Sequence, residues 1–239
     1  MSFSAGVSVK ASSTSSSSLV TAGINTTNHS VVVVGLIYTG ANFTSFVDSN
    51  SNTWVQVGVE HSFASTQRSR VYQCANLVGG AGHTFTLNLA TAQACTILVL
   101  EGLTAGGGGI LDQSVDGPND TTSPYTSANI TTTVANEMLF EVDCDDSSTG
   151  TGAHTLGNSF TLTAEVQDAQ NLWTGDIGYR IVAATGTYST SMTFGGPTLN
   201  GSTAYLVSFS EAAAGGAAAA RVPQSRPFPY KPGSPPGLR

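Results

Sequence analysis

Short runs in which apolar and polar residues alternate are the feature that most restricts how this chain can fold. In residues 84–89, for example, Phe85, Leu87 and Leu89 would face one way and the polar residues the other. Such alternation, bounded by Gly, Asn, Asp and Ser, is typical of half-buried β-strands. No stretch before residue 211 keeps a helical period with caps. The sequence therefore predicts an all-β protein with strands at 3–10, 30–38, 53–59, 68–76, 83–89, 94–103, 137–144, 159–167, 176–183, 188–194 and 204–211.

The amino-acid composition further restricts the class of protein to which this chain can belong. Of the 239 residues only 10% are charged, whereas 27 are Gly and 60 are Ser or Thr. A hydrophobic content of 40% argues against wholesale disorder. No apolar run approaches the roughly 18 residues of a membrane span, so we expect no membrane partner. The start of the chain lacks a basic segment followed by an apolar one, so we expect no signal peptide.

The two halves of the chain resemble each other. Residues 28–34 and 136–140 both lead from Asn into an apolar strand, Tyr72 and Tyr179 precede similar turns, and residues 95–100 resemble residues 204–209. These pairs are offset by about 107 to 109 residues, a periodicity typical of repeated units. We expect one β-sandwich over residues 1–211, with pseudo-repeats at about 3–103 and 110–211. The pattern allows either two tandem sandwiches or one interlocked antiparallel sandwich of Greek-key or jelly-roll type.

The character of the chain changes after residue 211. A Gly/Ala spacer leads into a segment that holds six of the nine prolines, so we predict an extended arm over residues 212–239. This arm carries a net charge of +4, whereas residues 1–220 carry −11. A basic arm on an acidic body is typical of a partner-binding layout. The residues expected to bind the partner are Arg221, Arg226, Phe228, Tyr230, Lys231 and Arg239.

The sequence contains no recognisable catalytic or cofactor motif, and we expect neither catalytic residues, nor a metal, nor a cofactor. Asp143, Asp145 and Asp146 are expected to be solvated loop acids, as are Asp112, Asp116 and Asp120, although together they could bind Ca²⁺. The four histidines lack metal-ligand spacing. A glycoside hydrolase would need paired carboxylates, for which Glu101, Glu141 and Glu165 are the in-strand candidates. The acidic body would repel nucleic acid, so no nucleic-acid partner is expected.

Cysteines and tryptophans give weaker signals. The three cysteines, an odd number, are expected to be buried free thiols, with a Cys74–Cys95 bridge or an intermolecular disulfide as the alternatives. Neighbouring acids should raise the pKa of Cys144. Trp54 and Trp173 are expected in the core, with glycan contact as the alternative for both.

A family resemblance rests on the strand and turn patterns. The segments SVVVVGLIY, FVDSNSNTWVQVG, RVYQCANLVGGAGHTFTLNL and ACTILVLEGL, with SANITTTVANEMLFEV, GYRIVAATGTYSTSMTF and STAYLVSFSE in the second half, resemble the Gly/Thr-rich β-sandwich modules of bacteriophage virion proteins and some bacterial surface proteins. The resemblance covers about residues 3–211. It implies a jelly-roll-like fold and a structural or adhesive role, and it carries no catalytic residues.

These observations predict a non-enzymatic virion structural protein, assembled in the host cytoplasm. A decoration or accessory protein of the capsid, collar or tail fits best, homo-oligomeric and docked on capsid or tail subunits by its C-terminal arm. The alternative is a carbohydrate- or receptor-binding module of a tail fibre or surface adhesin.

Overall fold

A computed structural model describes residues 3–40, 42–63, 66–103, 109–146, 153–167, 173–194 and 200–211. These residues form strands that pair only in antiparallel fashion. The strands are β1 (Ser4–Val20), β2 (Val31–Thr39), β3 (Phe43–Asp48), β4 (Val55–Ser62), β5 (Gln67–Cys74), β6 (Phe85–Leu103), β7 (Gly109–Asp116), β8 (Tyr125–Thr126), β9 (Ile130–Thr131), β10 (Glu137–Asp146), β11 (Thr155–Leu156), β12 (Thr161–Gln167), β13 (Trp173–Val182), β14 (Thr187–Tyr188), β15 (Ser191–Thr193) and β16 (Gly201–Glu211). The described residues contain no helix that could cross a membrane. The predicted all-β, sandwich-like fold is thereby confirmed.

The two halves place their strands in the same order. In the first half the large sheet runs β4, β5, β2, β6, β1, and in the second half it runs β12, β13, β10, β16, β7. Of the five strands in each order, the second along the chain (β2 or β10) lies at the centre, and the first and third (β1 and β4, or β7 and β12) lie at the edges. The two halves, which resemble each other in sequence, thus also share the order of their sheet strands.

The two large sheets pack face to face and share one core. Val33 and Leu100 of the first sheet lie in the same buried cluster as Phe140, Val142 and Val207 of the second. Of the two arrangements that the sequence left open, the structure has the interlocked one. The outer face of each sheet is covered by its own half, because β3 and the start of β6 fold over the first sheet and the short strands β8, β11 and β15 lie beside the second.

Several strand predictions need correction. The segments 83–89 and 94–103 form one continuous strand, β6, and β1 continues past residue 10 through the Ser-rich run. This run pairs with β6 through its backbone, which requires no apolar alternation, and it lies at an edge of the sheet. Strands β3 and β7 were not predicted. The arm residues Arg221, Arg226, Phe228, Tyr230, Lys231 and Arg239 lie outside the described residues.

Candidate functional site

The polar side chains that stand out in this body lie on the central strand of the second sheet, β10. Its ten residues are all buried, and Glu141, Asp143 and Asp145 alternate with apolar residues along it. Alternate residues of a strand share one face, so these three carboxyl groups point to the same side of the sheet. Asp176 of the neighbouring β13 is directly opposite Asp143 in the register and adds a fourth carboxyl group. All four side chains are buried.

His154, just before β11, lies among these carboxyl groups. Its Nδ1 is 2.7 Å from Oδ2 of Asp176, and its Nε2 is 2.9 Å from Oδ2 of Asp145. Oδ2 of Asp143 is 3.9 Å from the same Nδ1. The ring is fully buried and packs edge-on against Phe194 at 4.9 Å between centroids. One imidazole therefore contacts three of the four carboxyl groups.

Hydrogen bonds from outside hold part of this cluster in place. The backbone N–H of Thr174 donates to Oδ1 of Asp145 at 2.7 Å, and the hydroxyl of Ser202 donates to Oδ1 of Asp143 at 3.2 Å. The backbone N–H of His154 donates to Oε2 of Glu165, also at 2.7 Å. Asp145 and the backbone of His154 are therefore fixed by two different strands.

Other oxygens of the cluster receive no hydrogen bond from the described residues. They are Oδ2 of Asp143, Oδ1 of Asp176 and both carboxyl oxygens of Glu141. A buried polar group without a hydrogen-bond partner destabilises the fold, by roughly 1–3 kcal/mol for an ordinary group and more for a charged one. These oxygens are therefore the atoms of the cluster that are suited to accept a proton or a cation.

Burial and mutual repulsion shift the pKa values in this cluster. Burial raises the pKa of Glu141 and of Asp143 well above the usual range, and the charge of Asp176 raises both further. Burial also raises the pKa of Asp145. Burial alone would lower the pKa of His154, but its hydrogen bonds to Asp145 and Asp176 raise it to about 11. Without a further positive charge, the site favours a protonated His154 and retains protons on Glu141 and Asp143.

Three residues of the cluster are arranged as metal ligands. Among the residues that the structure describes, Asp143, His154 and Asp176 form a group whose ligand atoms all lie within 4.8 Å of one another. Glu141 adjoins Asp176 on the same face of the sheet. The set offers one imidazole nitrogen and several carboxylate oxygens.

The sequence reasoning placed these acids incorrectly. Asp143, Asp145 and Asp146 are not solvated loop acids, because strand β10 runs to Asp146 and keeps all three buried. Asp112, Asp116 and Asp120 are partly buried and lie away from this cluster, on or just after β7. His154 and Asp176 were not singled out. The alternation of acids with apolar residues in EVDCD indicates that the three acids share one face of the strand, but it does not show that this face is covered.

The two tryptophans that were the candidate glycan contacts, Trp54 and Trp173, belong to different hydrophobic clusters. Trp173 is 1% exposed, and its indole N–H donates to Oγ1 of Thr96 at 3.2 Å, so this ring presents no face to a glycan. Trp54 is partly buried and packs edge-on against Phe46 and Phe85. Both rings therefore contribute to packing.

The structure also shows where the three cysteines and the three candidate glutamates lie. The cysteines are free and buried, as expected, so there is no Cys74–Cys95 bridge. Burial raises the pKa of Cys144 well above its usual value, and Asp143 raises it further. Glu101 and Glu141 are fully buried in different sheets, and Glu165 lies on the edge strand β12.

Comparison of the chain with family models, with curated proteins and with solved structures finds no match in any of the three.

Proposed function

We propose that this chain is a non-enzymatic structural protein of a bacteriophage virion, an accessory or decoration protein of the capsid, collar or tail. In this proposal the two-sheet body is displayed on the particle, and the basic arm over residues 212–239 docks it on capsid or tail subunits. The resemblance of residues 3–211 to virion β-sandwich modules supports this assignment. The absence of a catalytic motif from the sequence is consistent with it.

The distribution of charge carries the proposal. Every described Asp and Glu side chain is buried or partly buried, and eight of them are buried, namely Asp48, Glu101, Glu137, Glu141, Asp143, Asp145, Asp146 and Asp176. The acidity of the body is therefore largely internal, and its outer surface is mostly neutral Ser, Thr, Asn and Gly. A surface with little net charge favours association between copies, as repeated subunits of a particle require.

Three of the four cations of the body form hydrogen bonds or ion pairs within it, and the fourth, Arg68, lies 4.0 Å from Glu60. Arg70 binds Glu60 at 2.7 Å, Arg180 donates to the backbone carbonyl of Asn158 at 2.8 Å, and Lys10 donates to that of Glu165 at 2.6 Å. The four cations of the arm are thus the ones best suited to bind another subunit. Phe228 and Tyr230 among the prolines would act as its apolar anchors.

Particle incorporation tests this proposal. Phage particles purified from the bacterial strain that encodes the chain should contain it, as detected by mass spectrometry. In a strain lacking the gene, the full chain supplied in trans should enter particles, whereas residues 1–211 alone should fold but be lost from them. A variant with both Phe228→Ala and Tyr230→Ala should enter particles poorly. Val78→Ser, which removes an exposed apolar side chain from the body, is the matched control and should enter particles as the full chain does. Particles without the chain, or equal incorporation of residues 1–211, would contradict the proposal.

A carbohydrate- or receptor-binding role is the second candidate, and one observation favours it. Phe43 and Tyr72 stack at 6.2 Å between centroids, Trp54 lies in the same cluster, and all three rings are partly exposed. Partly exposed rings can stack on sugars. A glycan array should then show binding that Tyr72→Ala weakens and Phe228→Ala leaves unchanged. An array without binding would remove this candidate.

A further inference from the structure

We propose that Asp143, His154 and Asp176 bind one first-row divalent cation of the Mn²⁺ or Zn²⁺ type, with Glu141 beside them. This inference concerns a different part of the molecule from the docking arm and does not depend on a virion role. It departs from the sequence expectation of a protein without a metal. Four observations carry it.

The first observation is the geometry of the donor atoms. The donors come from strand β10, from the segment before β11 and from β13, and one ligand atom each of Asp143, His154 and Asp176 lies within 4.8 Å of the other two. Bonds of about 2.0–2.2 Å to one ion space neighbouring ligand atoms roughly 3–4 Å apart. Nδ1 of His154 lies 2.7 Å from Oδ2 of Asp176 and 3.9 Å from Oδ2 of Asp143, which is close to that spacing.

The second observation is independent of that geometry. Both oxygens of Glu141 are fully buried and receive no hydrogen bond from an N–H group or a hydroxyl of the described residues, and the same holds for Oδ2 of Asp143. The group that interacts with Glu141 is another carboxyl, that of Asp176, on the same face of the sheet. Unpaired carboxylates in a dry interior are unfavourable unless a positive charge or protons compensate them. A divalent cation would compensate two of these charges at once.

The third observation is the support around His154. Histidines that bind metals almost always donate their other ring N–H to a carboxylate or carbonyl, which fixes the ring and its tautomer. Here Nε2 is 2.9 Å from Oδ2 of Asp145, and Asp145 is itself held by the N–H of Thr174. This contact leaves Nδ1 directed toward Asp143 and Asp176. The arrangement is that of a ligand with its supporting carboxylate.

The fourth observation is the donor set, which selects the kind of ion. Imidazole suits Zn²⁺ and other first-row metals, whereas carboxylates suit Mn²⁺ and harder ions. Ca²⁺ takes oxygen ligands almost without exception. One imidazole with two or three carboxylates therefore favours Mn²⁺ or Zn²⁺ over Ca²⁺.

A metal-free cluster is the competing explanation. His154 would then be a buried imidazolium that donates to both Asp145 and Asp176, with protons on Glu141 and Asp143. The two explanations differ in a measurable way, because only a metal site gains stability from added cation.

Metal titration of the full chain tests the proposal. After removal of metal with a chelator and dialysis, MnCl₂ or ZnCl₂ should bind at one ion per chain, measured by inductively coupled plasma mass spectrometry. At an ion concentration about 100 times the dissociation constant, the melting temperature should rise by roughly 5–10 °C. Pulsed electron paramagnetic resonance of the Mn²⁺-loaded chain should show coupling to one imidazole nitrogen. A wild-type chain that binds neither ion, gains no melting temperature, or binds only Ca²⁺ would overturn the proposal.

Variants test the assignment of residues. Asp143→Asn and Asp176→Asn should abolish stoichiometric binding, and His154→Gln should remove the nitrogen coupling. Asp145→Asn, which changes only the support of the ring, should weaken binding by about 10- to 100-fold.

The first half offers a matched control for these variants. Asp48 and His83 form an equally buried pair, with 2.6 Å between Oδ2 and Nε2, away from the cluster. Asp48→Asn should lower stability and leave the metal stoichiometry unchanged. Equal loss of metal in Asp48→Asn and Asp176→Asn would overturn the assignment. Because the wild-type titration involves no substitution, the proposal stays testable even if a variant fails to fold.

Discussion

Gly35, in the middle of β2, lies where the two large sheets come close together. A Cβ atom at this position would lie 2.6 Å from Cγ1 of Val142, on the opposite sheet. Gly175 of the second sheet is equally constrained, because its Cβ would collide with the side chain of Ile37. A glycine on each sheet therefore permits the contact between the two halves.

We expect Gly35→Ala to lower the free energy of unfolding by about 1–3 kcal/mol, because the added methyl group overpacks the core. Urea unfolding measures this change. Gly80→Ala is the control, since its Cβ would meet only the side chain of Asn50, at 3.4 Å. Adding Val142→Ala to Gly35→Ala should recover part of the loss. If the two substitutions prove strictly additive, the sheets do not contact each other at this point.

Glu101 gives a prediction about pH. Burial raises its pKa to about 8, and its carboxyl group contacts Nδ1 of His29, whose own pKa burial lowers. The pair is therefore a protonated carboxyl that donates to a neutral imidazole. A raised pKa for an acid means that the folded state holds the proton more tightly than the unfolded state. The stability due to this group is complete below about pH 4.5 and is lost as the pH rises through about 8.

Glu101→Gln mimics the protonated carboxyl, so the variant should gain stability relative to the wild type between pH 5 and pH 9. Urea unfolding at both pH values measures the difference. Asp112→Asn is the control whose difference from the wild type should stay constant over this range, because hydrogen bonds from Thr133 lower the pKa of Asp112 despite some burial and this carboxylate is ionised in both states. A difference between Glu101→Gln and wild type that does not change with pH would show that Glu101 is ionised in the fold.

At the level of elements, a pair of hydrogen bonds occurs in both halves. The hydroxyl of Thr26 donates to the carbonyl of Gly80 at 3.2 Å and accepts from its N–H at 2.8 Å. Thr132 does the same with Gly186, at 3.3 and 3.0 Å. Thr132 lies 106 residues after Thr26, as Gly186 does after Gly80. The repeated contact closes the connection before the central strand in each half.

Thr132→Val should cost about 1–2 kcal/mol, because the N–H of Gly186 loses its acceptor. Thr26→Val should cost at least as much, since the Thr26 hydroxyl also contacts Nδ1 of His83 at 3.0 Å. Thermal unfolding compares both with Thr131→Val, whose hydroxyl is exposed, and with the rescue variant Thr132→Ser. If Thr131→Val costs as much as Thr132→Val, the repeated contact is not what stabilises the connection.

Strand patterns predicted the fold class and most of the central strands, because β2 is one apolar run and β10 and β16 each contain a shorter one. It missed the length of β1, whose Ser-rich segment is held by backbone pairing at a sheet edge. The site was not predicted for a different reason. Asp143 and Asp176 come together through strand register, and His154 reaches them from a separate segment. None of these contacts leaves a spacing motif in the sequence.

At the scale of the whole molecule, the charge split takes on a different meaning. The sequence suggests an acidic body that carries a basic arm. Many of the acids are buried, however, and four of them, Glu141, Asp143, Asp145 and Asp176, form the cluster around His154. The body thus buries more than half of its described acids. Its two halves depend on each other, because the inner face of each large sheet is buried against the other sheet.

The claim that the two halves form one interlocked body is tested most directly by differential scanning calorimetry of the full chain. Because Val33, Leu100, Phe140, Val142 and Val207 belong to one core, both halves should unfold together. We expect one transition whose calorimetric and van't Hoff enthalpies agree. Two separate transitions would contradict it. So would a single transition whose van't Hoff enthalpy is well below its calorimetric enthalpy, because the halves would then unfold independently.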